Sequence, residues 1–169
     1  LIPETVHEHF VSTENLVTTG GAGMTEQKVH WGIMSTANIG RAAVIPAVQH
    51  ANNGKIVAVA SRDKTRARQF ADQQGIPHAH GSYMALLTNP EIDAVYSPLP
   101  NNLHKEWAIK AAEAGKHILC EKPLALTAAE CADMAAAADA NGVYLMEAFM
   151  YRFHPRIMEL MRLIDQGVI

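Results

Sequence analysis

The sequence predicts a doubly wound α/β domain, in which a parallel sheet carries helices on both faces. Short apolar runs alternate with longer helical segments along the chain, which is typical of this class. Residues 55–60 are almost continuously apolar, as expected for a strand that is buried on both faces. The 169 residues are 49% apolar and 18% charged, a balance that suits one globular domain with a sizeable core. Because crossovers between parallel strands are right-handed, we expect the strand order 3-2-1-4-5-6.

Three strands and three helices are predicted in the first half of the chain. The strands lie at residues 29–34, 55–60 and 76–80. The helices lie at residues 40–49, 65–74 and 83–88. Gly75 directly follows the second helix, and glycine is the residue that most often ends a helix.

The second half of the chain repeats the alternation. Strands are predicted at residues 92–97, 117–120 and 143–147. Helices are predicted at residues 104–114, 128–140 and 156–166. Thr127 and Glu130 have the spacing of a capping box before the alanine-rich fifth helix, and Asn141-Gly142 closes that helix.

Composition excludes several classes of function. The net charge of −3 offers no basic footprint for nucleic acid, and no apolar run approaches the length of a membrane span. Two cysteines, Cys120 and Cys131, favour a reduced cytoplasmic protein over a disulfide-linked one. His78 and His80 share one face of a strand, but no further ligands accompany them, so we predict no metal site.

Residues 1–25 are predicted to be an N-terminal extension outside the fold. They contain no apolar stretch of the kind that a signal peptide requires. Two interpretations stay open: Met24 is the true start and the preceding residues are a tail, or the segment is a short disordered extension.

The loop after the first strand is a candidate phosphate-binding loop. In the spacing G-x-G-x-x-G, Ser35, Ala37 and Gly40 occupy the glycine positions. Serine and alanine are small enough to meet part of the steric requirement, and amides at a helix start bind phosphate. The loop is therefore a candidate site for the pyrophosphate of a dinucleotide.

The end of the second strand bears on the choice of cofactor. An acid at this position usually binds the ribose 2′-hydroxyl, whereas an arginine accommodates a 2′-phosphate. The chain places Ser61 and Arg62 there, followed by Asp63. Ser61 and Arg62 favour NADP(H), Asp63 keeps NAD(H) possible, and a solvated Arg–Asp pair is the alternative without a cofactor.

Two prolines stiffen the segment after the fourth strand, Pro98–Leu99–Pro100–Asn101–Asn102–Leu103–His104. Such a ledge is suited to hold a flat ring and sugar hydroxyls, and the alternative is a rigid connector. His104 begins the next helix and is a candidate helix cap, a candidate cofactor contact, or neither.

An acid, a base and a proline, Glu121-Lys122-Pro123, follow the fifth strand. In a parallel sheet this position faces the ligand crevice, so a lysine there is placed to move a proton. Burial and a nearby nicotinamide charge would lower the lysine pKa, while Glu121 would oppose that shift. A cis bond before Pro123 is an option, and an ordinary solvated strand exit is the alternative.

Taken together and in this order, these motifs and the segment at residues 146–153 resemble the Gfo/Idh/MocA family of oxidoreductases. The likeness is greatest to its NADP-dependent D-xylose dehydrogenase and trans-dihydrodiol dehydrogenase branch. The resemblance implies a Rossmann domain at residues 26–153. It also implies a helix at residues 154–169 that leads to a second α/β substrate domain, which is absent from this chain.

The resemblance also implies an activity and roles for residues. Lys122 corresponds to the family's catalytic lysine, Glu121 to a residue beside the nicotinamide ribose, and Arg152, with Tyr151, to a motif at the mouth of the site. The cofactor-binding residues that the resemblance implies are Ser35, Thr36, Ala37, Asn38 and Ile39 for the pyrophosphate, Ser61 and Arg62 for the 2′-phosphate, and Leu99, Pro100, Asn101 and His104 along the ledge. The implied reaction moves a hydride between NADP(H) and a secondary or anomeric hydroxyl of a sugar, polyol or cyclic diol. The second catalytic group has no counterpart in the chain.

The resemblance implies further that the whole protein is a homo-oligomer and that this piece alone is inactive. A non-catalytic dinucleotide-binding module or a redox sensor is the alternative, because a fold does not fix a function.

Overall fold

One parallel sheet of six strands organises the described part of the chain, residues 28–169 of a computed structural model. The strand order is β3-β2-β1-β4-β5-β6, as predicted. The strands are β1 (Val29–Met34), β2 (Gly54–Ala60), β3 (His78–His80), β4 (Ala94–Ser97), β5 (His117–Cys120) and β6 (Leu145–Glu147). The predicted extension at residues 1–25 lies outside the described residues.

Within residues 28–169, six α-helices flank or follow this sheet. They are α1 (Ile45–His50), α2 (Lys64–Gln74), α3 (Tyr83–Leu87), α4 (His104–Glu113), α5 (Ala128–Ala140) and α6 (Pro155–Asp165). Short 3₁₀ turns at Asn101–Leu103 and Met150–Phe153 precede α4 and α6. No helix within residues 28–169 combines the length and the apolar character that a membrane crossing requires.

The core has one cluster on each face of the sheet. Helices α1 and α2 cover one face, where Ile33, Val59 and Tyr96 point. Helices α3, α4 and α5 cover the other face, where Val95 and Ile118 point. Alternate residues of β4 therefore enter different clusters, as expected for a strand that is buried on both faces.

Strands β3, β4 and β6 each begin two residues later than predicted, because the helix or turn before each strand uses the first amides. Ile76 donates its N–H to Ala71 at the end of α2, and Val143 donates to Ala138 at the end of α5. Pro77 then has no N–H to offer to a strand neighbour. Backbone groups that close a helix are not available to the sheet.

The first predicted helix opens differently from the expectation. The helix begins at Asn38, the segment Gly40–Val44 is π-helical, and the Ile45 N–H donates to the Gly40 carbonyl. Pro46 follows at the start of α1 and lacks the N–H that an α-helical bond to residue 42 needs. We attribute the wider turn to this missing donor.

Helix α6 extends beyond the sheet and packs mainly against the preceding 3₁₀ turn. Three apolar side chains along it, Leu160, Met161 and Ile164, are 41–53% exposed. The amphipathic pattern is therefore present, but the described chain leaves this apolar face largely uncovered.

Candidate functional site

The carboxyl ends of four strands meet along one edge of the sheet. The register pairs Met34 with Ala60 and Ser97 with Cys120, so β1 ends level with β2, and β4 ends level with β5. Two further bonds join the exits: the Ser35 hydroxyl donates to the Pro98 carbonyl at 3.3 Å, and the Glu121 N–H donates to the Ser97 carbonyl at 3.1 Å. The four predicted segments thus leave the sheet at the same edge.

Ser35 shapes the loop that follows β1. Its φ of 135° is positive, a conformation that glycine adopts more easily than other residues. The Ser35 hydroxyl also accepts the Ala37 N–H at 3.2 Å. Serine therefore adopts the turn that the first glycine of the motif normally provides, and the helix that starts at Asn38 directs its first amides toward the edge.

Asp63 has a structural task at the end of β2. One of its carboxylate oxygens accepts the Thr65 N–H at 2.8 Å and the Arg66 N–H at 3.1 Å, which makes Asp63 the N-cap of α2. The Ser61 hydroxyl accepts the Asp63 N–H at 3.3 Å. Arg62, between them, is exposed at the strand tip.

A groove of about 400 Å³ lies between the β1 loop and α2. It is lined by Thr36, Ala37, Asn38, Arg41, Arg66, Gln69, Phe70 and Gln73. The Arg41 guanidinium donates to the Asn38 side-chain oxygen at 2.6 Å. Arg41 and Arg66 were not predicted from the sequence. Both are basic residues in the first turns of the helices that follow β1 and β2, and that position could have indicated a place in the groove.

Side chains from β4 and β6 hold the turn that follows β5. The Tyr96 hydroxyl donates to Glu121 Oε1 at 2.6 Å, and Glu121 Oε2 accepts the Lys122 N–H at 3.2 Å. Glu147 at the end of β6 accepts the Leu124 N–H at 2.8 Å. The Lys122–Pro123 peptide bond is cis. The backbone of the turn is therefore held in place. The Lys122 side chain, however, is exposed, whereas the role predicted for it as a proton-transfer group requires a buried amine.

His104 joins the ledge to this turn. Its buried ring places Nε2 2.8 Å from the Leu99 carbonyl oxygen and Nδ1 2.9 Å from the Pro123 carbonyl oxygen. Both nitrogens face acceptors, so the ring has no free polar atom for a ligand in this conformation. Direct cofactor contact by His104 stays a prediction; what the structure displays is a brace between two site segments.

The other predicted residues flank the same edge. Leu99 is buried, whereas Pro100 and Asn101 are exposed on the ledge. Arg152 lies in the 3₁₀ turn after β6. The end of β6 is joined to β5 by a hydrogen bond of 2.8 Å, in which the Ala148 N–H donates to the Cys120 carbonyl.

The two strand histidines have separate surroundings. His78 lies 3.2 Å from the Glu91 carboxylate. Burial and the neighbouring His78 and Lys64 charges lower the pKa of His80. Within residues 28–169, no three histidine, cysteine or acidic side chains converge as a metal site.

Two groups at the site stay protonated. Burial, reinforced by the Glu121 carboxylate, raises the pKa of Tyr96 far above its usual range. Burial, with Glu121 and Glu147 nearby, raises the pKa of the Cys120 thiol to about 12. Tyr96 is therefore a hydrogen-bond donor, and Cys120 is an apolar, un-ionised side chain rather than a nucleophile.

This strand order and a crevice at the carboxyl edge define a Rossmann-type nucleotide-binding domain. The chain belongs to the Gfo/Idh/MocA oxidoreductase family, because that family's NAD-binding Rossmann fold matches residues 29–149. The resemblance that the motifs indicated is thereby confirmed.

Relatives in this family include sugar and diol dehydrogenases. The chain is 55% identical over 125 residues to D-xylose 1-dehydrogenase (NADP(+)) 2 of Haloferax volcanii, an alignment that covers 74% of this chain and 38% of the relative. It is 40% identical over 144 residues to trans-1,2-dihydrobenzene-1,2-diol dehydrogenase of Xenopus laevis, covering 82% of this chain and 42% of that protein.

Solved structures give the same picture of the fold. The 3-ketoreductase KijD10 from Actinomadura kijaniata, in complex with NADP and TDP-benzene, is 37% identical and superposes with a TM-score of 0.76. The match covers 85% of this chain and 44% of that enzyme. The chain thus spans about two fifths of the length of the relatives it matches.

We predict that Cys120 resists alkylation in the folded chain. At pH 8, a thiol with a pKa near 12 has roughly a thousandfold less thiolate than an ordinary cysteine, and burial also blocks the reagent. Iodoacetamide followed by peptide mass spectrometry should label Cys131 alone, and should label both cysteines in urea. A folded Cys131→Ser variant is the control and should take up no label. Rapid labelling of Cys120 in that variant would contradict the description of this strand end.

Proposed function

We propose that this chain is the NADP(H)-binding part of a dehydrogenase that acts on a secondary or anomeric hydroxyl of a sugar, polyol or cyclic diol. The observation that carries the proposal is the meeting of the four strand exits at one edge, with Glu121 and Lys122 fixed at the end of β5. The named activities of the xylose and dihydrodiol dehydrogenases support this substrate class.

The strand tip after β2 supports NADP(H) over NAD(H). One carboxylate oxygen of Asp63 caps α2, and exposed Arg62 is the cationic group at the tip. Guanidinium groups bind phosphate through paired hydrogen bonds. Arg41 and Arg66, in the adjoining groove, add positive charge on the same side.

The β1 loop fits the pyrophosphate. Ser35 sets the turn, and the helix that begins at Asn38 offers amides that have no partner within the helix. Such amides, together with the helix dipole, favour an anion. Ser35, Thr36, Ala37, Asn38 and Ile39 are the residues assigned to it.

Lys122 is the proposed proton relay. When bound, the nicotinamide supplies the hydride acceptor or donor. In the oxidative direction, neutral Lys122 Nζ takes the proton of the substrate hydroxyl; in the reductive direction, the charged amine gives that proton to the carbonyl oxygen. Its exposure in the described chain means that closure of the site must come from the rest of the protein.

The whole protein is proposed to contain a second, substrate-binding domain and to form a homo-oligomer. The largely uncovered apolar face of α6 supports a covering partner there. We therefore expect the chain alone to bind cofactor without turning over substrate.

A non-catalytic dinucleotide-binding module is the second candidate function. The exposure of Lys122 favours it, since an exposed lysine is not desolvated for proton transfer. The two candidates agree on cofactor binding and differ on Lys122.

We predict that the chain binds NADPH roughly tenfold to a hundredfold more tightly than NADH, because one or two guanidinium–phosphate hydrogen bonds distinguish them. Arg62→Ala should remove most of that preference, as measured by titration calorimetry with both cofactors. Arg156→Ala, at the start of α6, is the matched control and should leave it intact. Equal affinities for the two cofactors in the unmodified chain would overturn the 2′-phosphate assignment.

The role of Lys122 can be tested in an active background. Residues 29–149 should replace the matching segment of the Haloferax D-xylose dehydrogenase and retain xylose-dependent NADP⁺ reduction, given the 55% identity. Lys122→Met in this chimera should lower kcat about 10²- to 10⁴-fold, the usual contribution of a proton-transfer group, while NADPH still binds. Lys105→Met, which removes an exposed ion pair with Asp133, is the control and should change kcat little. A fully active Lys122→Met chimera would contradict the assignment of Lys122 as the proton relay.

A further inference from the structure

A buried tyrosine hydroxyl holds the carboxylate of Glu121 from within the sheet. Tyr96 is fully buried on β4, and its ring packs in the core cluster beneath α1 and α2. Its hydroxyl donates to Glu121 Oε1 at 2.6 Å, within the range of a charge-assisted O–H···O⁻ bond. Glu121 Oε2 accepts the Lys122 N–H. One carboxylate oxygen is therefore held by the sheet, and the other is held by the turn that follows β5.

The surroundings of Glu121 make the donor important. Beside the carboxylate lies a cavity of about 330 Å³ between α1 and the exits of β5 and β6. Its walls are apolar side chains such as Val44, Leu119 and Phe149, and Glu121 is the one charged residue among those that line it. A carboxylate at an apolar wall is costly unless hydrogen bonds compensate for the lost water.

The direction of the bond is fixed. Burial and the carboxylate keep Tyr96 protonated by raising its pKa, so the phenol donates and Glu121 accepts. Glu121 cannot swing away from the cavity wall without leaving a buried hydroxyl unpaired. Its position follows from Tyr96, which is 25 residues earlier in the chain and belongs to the neighbouring strand.

We propose that Tyr96 is a positioning residue that acts through Glu121 to set the turn that carries Lys122, and so orders the nicotinamide half of the cofactor site. This inference rests on the proposed function. The adenosine half depends on the exits of β1 and β2, which the phenol oxygen does not contact. Removal of that oxygen should therefore affect one half of the cofactor and spare the other.

The test compares two probes, NADPH and adenosine 2′,5′-bisphosphate, on the 169-residue chain. Tyr96→Phe keeps the ring and removes the hydroxyl. It should weaken NADPH binding about fivefold, the effect of one hydrogen bond, and lower the emission of bound NADPH. The affinity for adenosine bisphosphate should stay within about twofold. Tyr83→Phe, a buried tyrosine on α3 that contacts Trp107, is the matched control and should change neither affinity.

A double variant tests whether the effect passes through Glu121. Glu121→Ala should itself weaken NADPH selectively, and adding Tyr96→Phe to it should cause no further loss. Thermal unfolding checks that each variant is folded. If Tyr96→Phe does not fold, the selective loss in Glu121→Ala alone decides the matter.

Three results would overturn the inference: unchanged NADPH binding in Tyr96→Phe, equal weakening of both probes, or losses that add in the double variant. If the unmodified chain binds neither probe, the proposed function itself fails, and this inference fails with it.

Discussion

The parallel pairing of β1 with both β2 and β4 is the constraint on which the site depends. The chain leaves β1 through α1 toward β2 and returns on the opposite side of β1 to form β4. The loops after β1 and β4 therefore diverge to opposite faces, and a crevice opens where the strand order reverses. A hydrogen bond from the Ser35 hydroxyl to the Pro98 carbonyl joins these two loops. The charged and small residues at the strand exits can act on one ligand only because this topology brings them to the same edge of the sheet.

Beyond the topology, the turn after β5 shows how a fixed backbone supports a free side chain. Tyr96, His104 and Glu147 come from β4, α4 and β6, and each meets a different group of residues 121–124. They satisfy backbone and carboxylate groups that would otherwise be unpaired near apolar walls. Proton transfer requires a reactive atom in a defined place, and an anchored main chain limits how far Lys122 Nζ can move. These three contacts thus connect the packing of the core to the proposed chemistry.

Local sequence patterns were sufficient for the order and type of the elements, because alternating apolar runs, helix caps and terminal glycines are local signals. They were not sufficient where distant groups compete. The starts of β3, β4 and β6 were wrong by two residues, since Ile76, Ile92 and Val143 donate their N–H groups to the helix or turn before each strand. The contacts of Tyr96 with Glu121 and of His104 with Pro123 join residues 25 and 19 positions apart, and no local periodicity encodes them. The position of Asp63 after β2 suggests a ribose ligand, and only the structure reveals that one of its carboxylate oxygens caps α2.

The carboxyl ends of β1, β2, β4 and β5 are proposed to form a single dinucleotide site in this chain. Backbone amide NMR of the labelled chain during titration with NADPH tests this proposal most directly. We expect the largest changes in chemical shift at Ala37, Asn38, Arg62 and Lys122, on both sides of the central strand. Changes confined to the opposite, amino-terminal edge of the sheet, or no saturable changes at all, would contradict it.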